Sequence, residues 1–534
     1  MQKMNKDKRN GWLAAAVVLV LGCYVVIGYW GSESIPCRAF HWDGDDLYNL
    51  QAAGLARGQL NLPVEPRPEL LALQNPYDPI ANEPYRLHDA TLYNGKYYSY
   101  FGITPALVFF LPLRLIGLPN APTGFAVILF GSVGLLSALS LLRLFLKQRG
   151  CVPDQFSLIL AVLALGFCNT GPFVLRHPAM YEVAISCGYA FLLLGLYLLL
   201  SGSGSDRPSW WRLGTGSLCL ALAVGGRPHL VFAAPLLAAV FLFVTAQCRE
   251  ESRKRVGWAA LILFAPYTAY GLLLAGYNYL RFGSPTDFGW RYQLAGLEVA
   301  KLPVGLYLVP TGLYMHLWHW FKLNGVFPFV HFQWQLPFIP PSGLPLEVIC
   351  GAFVANPFLL ILLLMPFVLV AALRDTDADA AGRNRSQFKL HVAILFLLPM
   401  IGMAFILVCS YLGLSTMRYE MDYGTLFLLP ALVTWLYCLE TLRGRLWHWP
   451  MLVIGRILVV IGCVINMGLG LAAYDDGAQI RQNWCYLLIG LACVGLSAGL
   501  VAWIGFGVRR TRRERPTAMD TTRPTARREI RHAG

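Results

Sequence analysis

The chain has 534 residues, of which 56% are hydrophobic and only 13% charged, and its mean hydropathy is +0.53. A water-soluble surface needs roughly twice that charge, so a string of soluble domains, a disordered chain and a collagen are all excluded. Lys and Arg number 43 against 29 Asp and Glu, a net +14, but the basic residues fall in short runs between apolar stretches. That pattern points to the rim of a membrane rather than to nucleic acid.

A spanning helix needs about 20 apolar residues, and residues 11–30 supply the first without a charge. Lys3, Lys6, Lys8 and Arg9 precede it and keep the N-terminus cytoplasmic. The run is too long for a signal peptide, and no small-x-small cleavage site follows convincingly. The next apolar run, 102–118, is short, holds Pro105, Pro112 and Arg114, and begins among Tyr97, Tyr98, Tyr100 and Phe101. It reads as a segment lying on the outer surface. Further spans follow at 123–146, 155–175, 182–200, 210–226, 228–247, 256–280, 349–373, 390–413, 424–440, 450–473 and 485–508. The expected fold is an all-α polytopic membrane protein of about 12 transmembrane helices, both ends cytoplasmic.

Cytoplasmic segments then hold 28 Lys and Arg, external ones 14, as the positive-inside rule asks. Residues 1–508 form one transmembrane domain with long external loops at 31–122 and 281–348, the second with an interfacial helix over 306–321. The tail, 509–534, holds nine arginines, reads as disordered and lies along anionic lipid. Of the 13 cysteines only Cys37 sits clearly in an external loop, so no disulfide framework is expected.

Span interiors are almost free of ionisable residues, which disfavours an ion-coupled transporter with a midplane site. Polar groups collect instead at the outer face, with seven of the ten histidines. Such a site suits a substrate that is half lipid and half polar. Just after the first span comes His41-Trp42-Asp43-Gly44-Asp45-Asp46. Three carboxylates in four residues repel one another, which favours a bound cation or a general base. An Asx turn capping the next helix explains the same residues. Glu182 follows Arg176 and His177 and opens a span, where the helix dipole favours its ionised form; ordinary helix-start chemistry is the alternative.

Arg227, in Gly225-Gly226-Arg227-Pro228-His229, follows a span of about 17 residues, roughly 25 Å long. It sits slightly below the outer headgroups, where a lipid phosphate would neutralise it; a snorkelling arginine is the plainer reading. Arg281-Phe282-Gly283-Ser284-Pro285 leads to Trp290-Arg291-Tyr292, and Arg418-Tyr419 precedes a late span. Both set Arg beside aromatics, a pairing suited to phosphate binding and sugar stacking. Interface anchoring explains the aromatics well and the arginines less so. His316, His319 and His331 have no Cys or carboxylate at a ligand spacing, and no metal site is assigned.

In this order the elements resemble the membrane-embedded glycosyltransferases of the C fold, which include the bacterial lipid A aminoarabinose transferase and the protein O-mannosyltransferases. The resemblance rests on the acidic Asp45-Asp46 after span one, Leu87 to Leu118 as surface helices of the first loop, and the basic end Arg143 to Lys147 of span two. It rests further on Glu182, Arg227, Arg281 to Pro285 and Arg418-Tyr419. Only Pro105 stands where the family often has a Pro-Pro pair, and Glu182 stands where many members have Asp.

The resemblance implies transfer of a sugar from a polyprenyl-phosphate carrier to a lipid, glycan or protein acceptor, on the extracytoplasmic side of the inner membrane. Asp45 is the first candidate for the base, then Asp43 and Asp46, with Glu182 orienting a substrate. Arg418 is the first candidate for the donor phosphate, with Arg227, Arg281 and Lys96 as alternates. His41, Tyr98, His177, Trp290, Arg291 and Tyr419 are candidate substrate contacts. A divalent cation is left open, and no nucleotide fingerprint is present. The competing expectations are a lipid-linked glycan flippase, a glycan polymerase or ligase, and a non-catalytic scaffold of the same fold.

Overall fold

A computed structural model describes residues 2–30, 46–204, 208–247, 253–374 and 385–474. Cys37, His41, Asp43, Asp45, the expected span 485–508 and the basic tail lie outside these residues. Among the described residues nine helices are long and apolar enough to cross a membrane. The protein is a multi-pass, all-α membrane protein.

The helices are α1 (Gln2–Trp30), α2 (Leu47–Ala56), α3 (Thr123–Arg149), α4 (Gln155–Phe167), α5 (Gly171–Arg176), α6 (Met180–Gly202) and α7 (Trp210–Gly226). They continue with α8 (Ala234–Ala246), α9 (Arg253–Phe282), α10 (Val309–Trp318), α11 (Met365–Arg374), α12 (Arg385–Tyr411), α13 (Glu420–Thr441) and α14 (His448–Ala472). Three expected spans are broken, and one of them, 228–247, divides into a 3-10 stretch, Pro228–Ala233, and α8. The stretch 155–175 divides into α4 and α5, because Asn169 Oδ1 takes the Gly171 N–H at 3.0 Å and Thr170 turns left-handed at φ 59°. The stretch 349–373 becomes the turn Ala352–Ala355, a tight helix Pro357–Leu364 and then α11. Pro357 and Pro366 lack the N–H groups that one continuous α-helix would use.

Helix α13 is the pole of the bundle: every residue from Glu420 to Leu439 is buried. Small residues let its neighbours close up. A Cβ on Gly195 of α6 would stand 2.9 Å from the Gly216 carbonyl of α7, and one on Gly216 would stand 3.0 Å from the Gly195 carbonyl. The outward faces of α8, α9, α11 and α12 leave Leu242, Leu261, Leu272, Phe367 and Met400 exposed, as a lipid-facing surface requires.

The first loop differs from the run of surface helices expected over 87–118. The stretch 87–118 begins with a hairpin of β1 (Thr91–Tyr93) and β2 (Lys96–Tyr98). Asn94 and Gly95 form the turn at φ 48° and 71°, the left-handed pair that a two-residue hairpin demands. Only Ala106–Phe110 and Leu111–Leu115 are helical in the remainder. A second hairpin, β3 (Phe321–Leu323) with β4 (Val330–Phe332), lies in the other long loop, after α10.

The two long loops meet. Thr91 bridges to Gln293, Asp89 N donates to Leu294 O at 2.9 Å, and the Tyr93 ring lies 4.9 Å from that of Tyr292. Within 102–118 the helical stretch is Ala106–Leu115, shorter than the about 20 residues a spanning helix needs. At the other end of the bundle Arg456 donates to Asp154, which caps α4, at 2.6 Å.

Candidate functional site

The N-terminal end of α13 reaches the face that carries both long loops. Arg418 and Tyr419 form a turn of 3-10 helix, Met417–Tyr419, and α13 starts at the next residue. The Tyr419 ring is within reach of two cations: the guanidinium carbon of Arg227 is 4.8 Å from its centroid and that of Arg418 is 5.9 Å away. Arg418 also lies 4.7 Å over the ring of Tyr181, donates to the Tyr474 hydroxyl at 2.9 Å and pairs with Glu347 at 3.0 Å. Its Nε is buried without a partner among the described residues.

Arg227 ends α7 in extended backbone and donates Nε and Nη2 to a single oxygen of Asp422, at 3.2 and 2.8 Å. His229 Nε2 meets the same oxygen at 3.1 Å. Burial works against the Arg227 charge, but Asp422 and Tyr419 more than compensate and hold its pKa above the usual range. Asp422 stands four residues after Arg418 in the chain, in the first turn of α13. That spacing was legible in the sequence; the pairing with Arg227 was not.

Glu182, third residue of α6, accepts the Ala179 N–H on Oε2 at 3.2 Å. Its Oε1 is buried without a partner among the described residues, within electrostatic reach of Arg418 and His177. Tyr100 faces the same cluster. Burial pushes its phenol well up, Asp89 and Tyr419 add to the effect, and Arg418 and Arg227 oppose it. Gly102 explains why this loop lies so close: a Cβ there would collide with the carbonyls of Gly225 and Gly226, just before Arg227.

Asp46 caps α2. Its Oδ1 accepts from the Tyr48 and Asn49 N–H groups at 2.8 and 3.1 Å, and its Oδ2 from the Asn49 amide at 2.6 Å. Arg281 is committed to structure: it donates to Ser99 O at 2.6 Å and Asn278 Oδ1 at 2.8 Å and lies 3.7 Å from the Tyr277 ring. Lys96 is exposed beside the hairpin turn, and Arg291 is exposed beside Asp287 at 3.9 Å. Tyr98 is buried against Phe282, and Trp290 is half-buried in the turn that leads to Gln293. His177 is half-buried, its ring 5.4 Å from that of Tyr474.

Sequence reasoning missed Asp89. It is 2% exposed, sits in left-handed backbone at φ 61° and accepts from Gln293 Nε2 at 2.7 Å. Burial raises its pKa against the opposing effects of His88, Gln293, Arg418 and Arg86. Glu347 and Tyr474, the partners of Arg418, were missed as well, because nothing local marks them. His316, His319 and His331 each bond a backbone carbonyl, at 3.1, 2.7 and 3.0 Å, and among the described residues no cluster of three or more His, Cys, Asp or Glu has the geometry to hold a metal.

No protein-family model and no curated protein matches the chain. Among solved structures it is similar to the apo oligosaccharyltransferase of Archaeoglobus fulgidus, at 13% identity and TM-score 0.42 over 88% of this chain and 59% of that one. It is similar to the oligosaccharyltransferase AglB of the same organism in complex with an inhibitory peptide and a dolichol-phosphate, at 12% identity and TM-score 0.45 over 88% of this chain and 58% of that one. A third similarity is to ArnT from Cupriavidus metallidurans bound to undecaprenyl phosphate, at 12% identity and TM-score 0.40 over 91% of this chain and 78% of that one. The chain spans about three fifths of the length of the archaeal structures it matches.

Proposed function

We propose that the protein is a membrane glycosyltransferase that moves a sugar from a polyprenyl-phosphate carrier to an acceptor hydroxyl on the extracytoplasmic face of the cell membrane. The observation that carries this reading is the Tyr419 ring in cation–π reach of both Arg227 and Arg418, beside a Glu182 carboxylate oxygen that has no partner among the described residues. Two guanidiniums at the end of an apolar bundle lie at the depth of a lipid phosphate, whose charge they match. The Tyr419 ring, in cation–π reach of both, holds the two guanidiniums together.

The step is a single displacement. The acceptor oxygen bonds to the anomeric carbon as the bond from that carbon to the phosphate oxygen breaks. The carrier phosphate leaves with the electron pair, its charge held by Arg418 and Arg227. The proton of the acceptor hydroxyl passes to a carboxylate, for which Asp45 is the first choice and Asp43 the second. Asp46 keeps its capping role, and Glu182 orients the reacting groups. Mass spectrometry of envelope glycans with and without the gene tests the reading. Loss of one pentose or hexose on deletion supports it and names the sugar; an unchanged glycan profile overturns it.

A further inference from the structure

The two arginines beside Tyr419 carry different counter-ions. Arg227 is paired with Asp422, whose side chain is 2% exposed and stands in the first turn of α13. Arg418 is paired with Glu347, whose side chain is 42% exposed. Glu347 lies near the end of the second long loop, in a stretch, 344–351, without helix or strand. Breaking a buried pair strands a charge away from water, so Asp422 is fixed. Glu347 keeps contact with water, and its carboxylate gives up little on leaving its partner. The geometry at Arg418 is also incomplete. Nη1 donates to the Tyr474 hydroxyl at 2.9 Å. Both oxygens of Glu347 crowd one nitrogen, Nη2, at 3.1 and 3.0 Å. Nε, the other donor on that edge of the planar guanidinium, is buried without a partner among the described residues. A phosphate group presents two oxygens at the spacing of such an edge and takes both donors. It thereby satisfies the buried N–H that Glu347 leaves unmet.

We propose that Glu347 is an exchangeable counter-ion: the phosphate of a lipid phosphate ester displaces it from Arg418 and takes the Nε–Nη2 edge, so that Glu347 sets the affinity of the site for the carrier. The proposal rests on the donor-phosphate reading above. Only the Glu347 side chain has to move. The next residue is held, because Val348 O accepts the Met417 N–H at 2.8 Å and ties the loop end to the turn that carries Arg418. The guanidinium also keeps its direction when Glu347 leaves, since the Tyr474 hydroxyl and the Tyr181 ring, 4.7 Å away, remain on it. Arg227 and Arg418 thus divide the work at one phosphate. Arg227 is a permanently neutralised cation that orients, and Arg418 is the cation whose charge is released for the ligand by exchange.

The test uses full-length protein in phosphatidylcholine nanodiscs and needs no turnover. Farnesyl phosphate is the probe, with inorganic phosphate as the free anion and farnesol as the uncharged control. Glu347→Gln removes the competing charge at the same size, and Glu347→Asp keeps the charge. Glu347→Gln should bind farnesyl phosphate about fivefold more tightly than wild type, the scale of removing one half-exposed ion pair. Glu347→Asp should gain less, farnesol should not distinguish the variants, and the gain should vanish in the Arg418→Ala background. The same gain with inorganic phosphate supports exchange by any phosphate; a gain with farnesyl phosphate alone supports exchange by a lipid phosphate. Unchanged or weaker binding by Glu347→Gln, an equal gain with farnesol, or a gain that survives loss of Arg418 overturns the proposal. A purely structural ion pair gives the first of these, with a lowered melting temperature. If Arg418→Ala also binds farnesyl phosphate as wild type does, the donor-site reading falls with it. Exchange in a protein whose deletion leaves the envelope glycans unchanged would keep the phosphate site and overturn sugar transfer.

Discussion

Arg227 places two of its N–H groups on one carboxylate oxygen of Asp422, a residue 195 positions further along the chain. The guanidinium is thereby held against Tyr419 with its remaining donors uncommitted to Asp422. His229 shares the same oxygen, so the carboxylate balances the cation and fixes its direction. Removing one partner of a buried pair costs about 3–5 kcal/mol. Asp422→Ala should therefore lower thermal stability in detergent strongly, and Asp422→Asn less, with both weakening donor binding. A variant with wild-type stability and donor affinity would break the link between this pair and the site.

Arg418→Ala should reduce affinity for polyprenyl phosphate by about tenfold or more, in line with about 1.5–3 kcal/mol for a charge-assisted hydrogen bond. Arg418→Lys should recover only part of it, because an ammonium cannot grip two phosphate oxygens at once. Titration of the purified variants with polyprenyl phosphate measures both. Arg281→Ala should act differently: it should destabilise the first loop, since Arg281 holds Ser99 O, before it changes donor affinity.

The acidic motif should divide by role. Asp45→Asn should lower transfer by about a hundredfold, the scale of losing a general base, with donor binding little changed. Asp46→Asn should fold normally, because Asn is as good an N-cap as Asp, and should lose less activity. Sugar transfer in reconstituted membranes with each carboxylate changed singly decides this. Near-normal turnover in the Asn variants of Asp43, Asp45 and Asp46 alike would sink the base assignment.

Acid stability should depend on His316. Its Nδ1 meets the Tyr423 hydroxyl at 3.0 Å and its Nε2 the Leu414 carbonyl at 3.1 Å. Burial lowers its pKa from 6.5 to about 4. The folded protein thus keeps His316 neutral where the unfolded chain binds a proton. Its contribution to stability is fully present above pH 6.5 and is lost as pH falls towards about 4, by up to about 1.4 kcal/mol per pH unit. His316→Gln should be less stable at neutral pH and show a flatter acid limb. A thermal-melt series from pH 7 to about 4 reads both, and equal slopes would refute it.

Gly102→Ala should shift the loop that carries Tyr100, because the added carbon meets two carbonyls at the end of α7. Backbone cannot yield as a flexible side chain can. Transfer should fall with the protein still folded; a fully active variant would show that this loop contact does not set the site.

Apolar runs, their lengths and the flanking basic residues were sufficient for a membrane bundle, and for a helix at 102–118 shorter than a span, because hydropathy and helix length are local properties. The motifs also put Glu182, Arg227, Arg418 and Tyr419 on one face, since each stands at a helix end of known direction. Their division of labour was not legible. Asp46 and Arg281 read like their neighbours in the sequence, and only packing commits Asp46 to a helix cap and Arg281 to the Ser99 carbonyl. The contact of Arg227 with Asp422, of Arg418 with Glu347, and of Asp89 with Gln293 each joins distant segments. A buried polar group must find a partner wherever the fold brings one, and that choice is made by the packing of the helices around α13 and of the two long loops against each other.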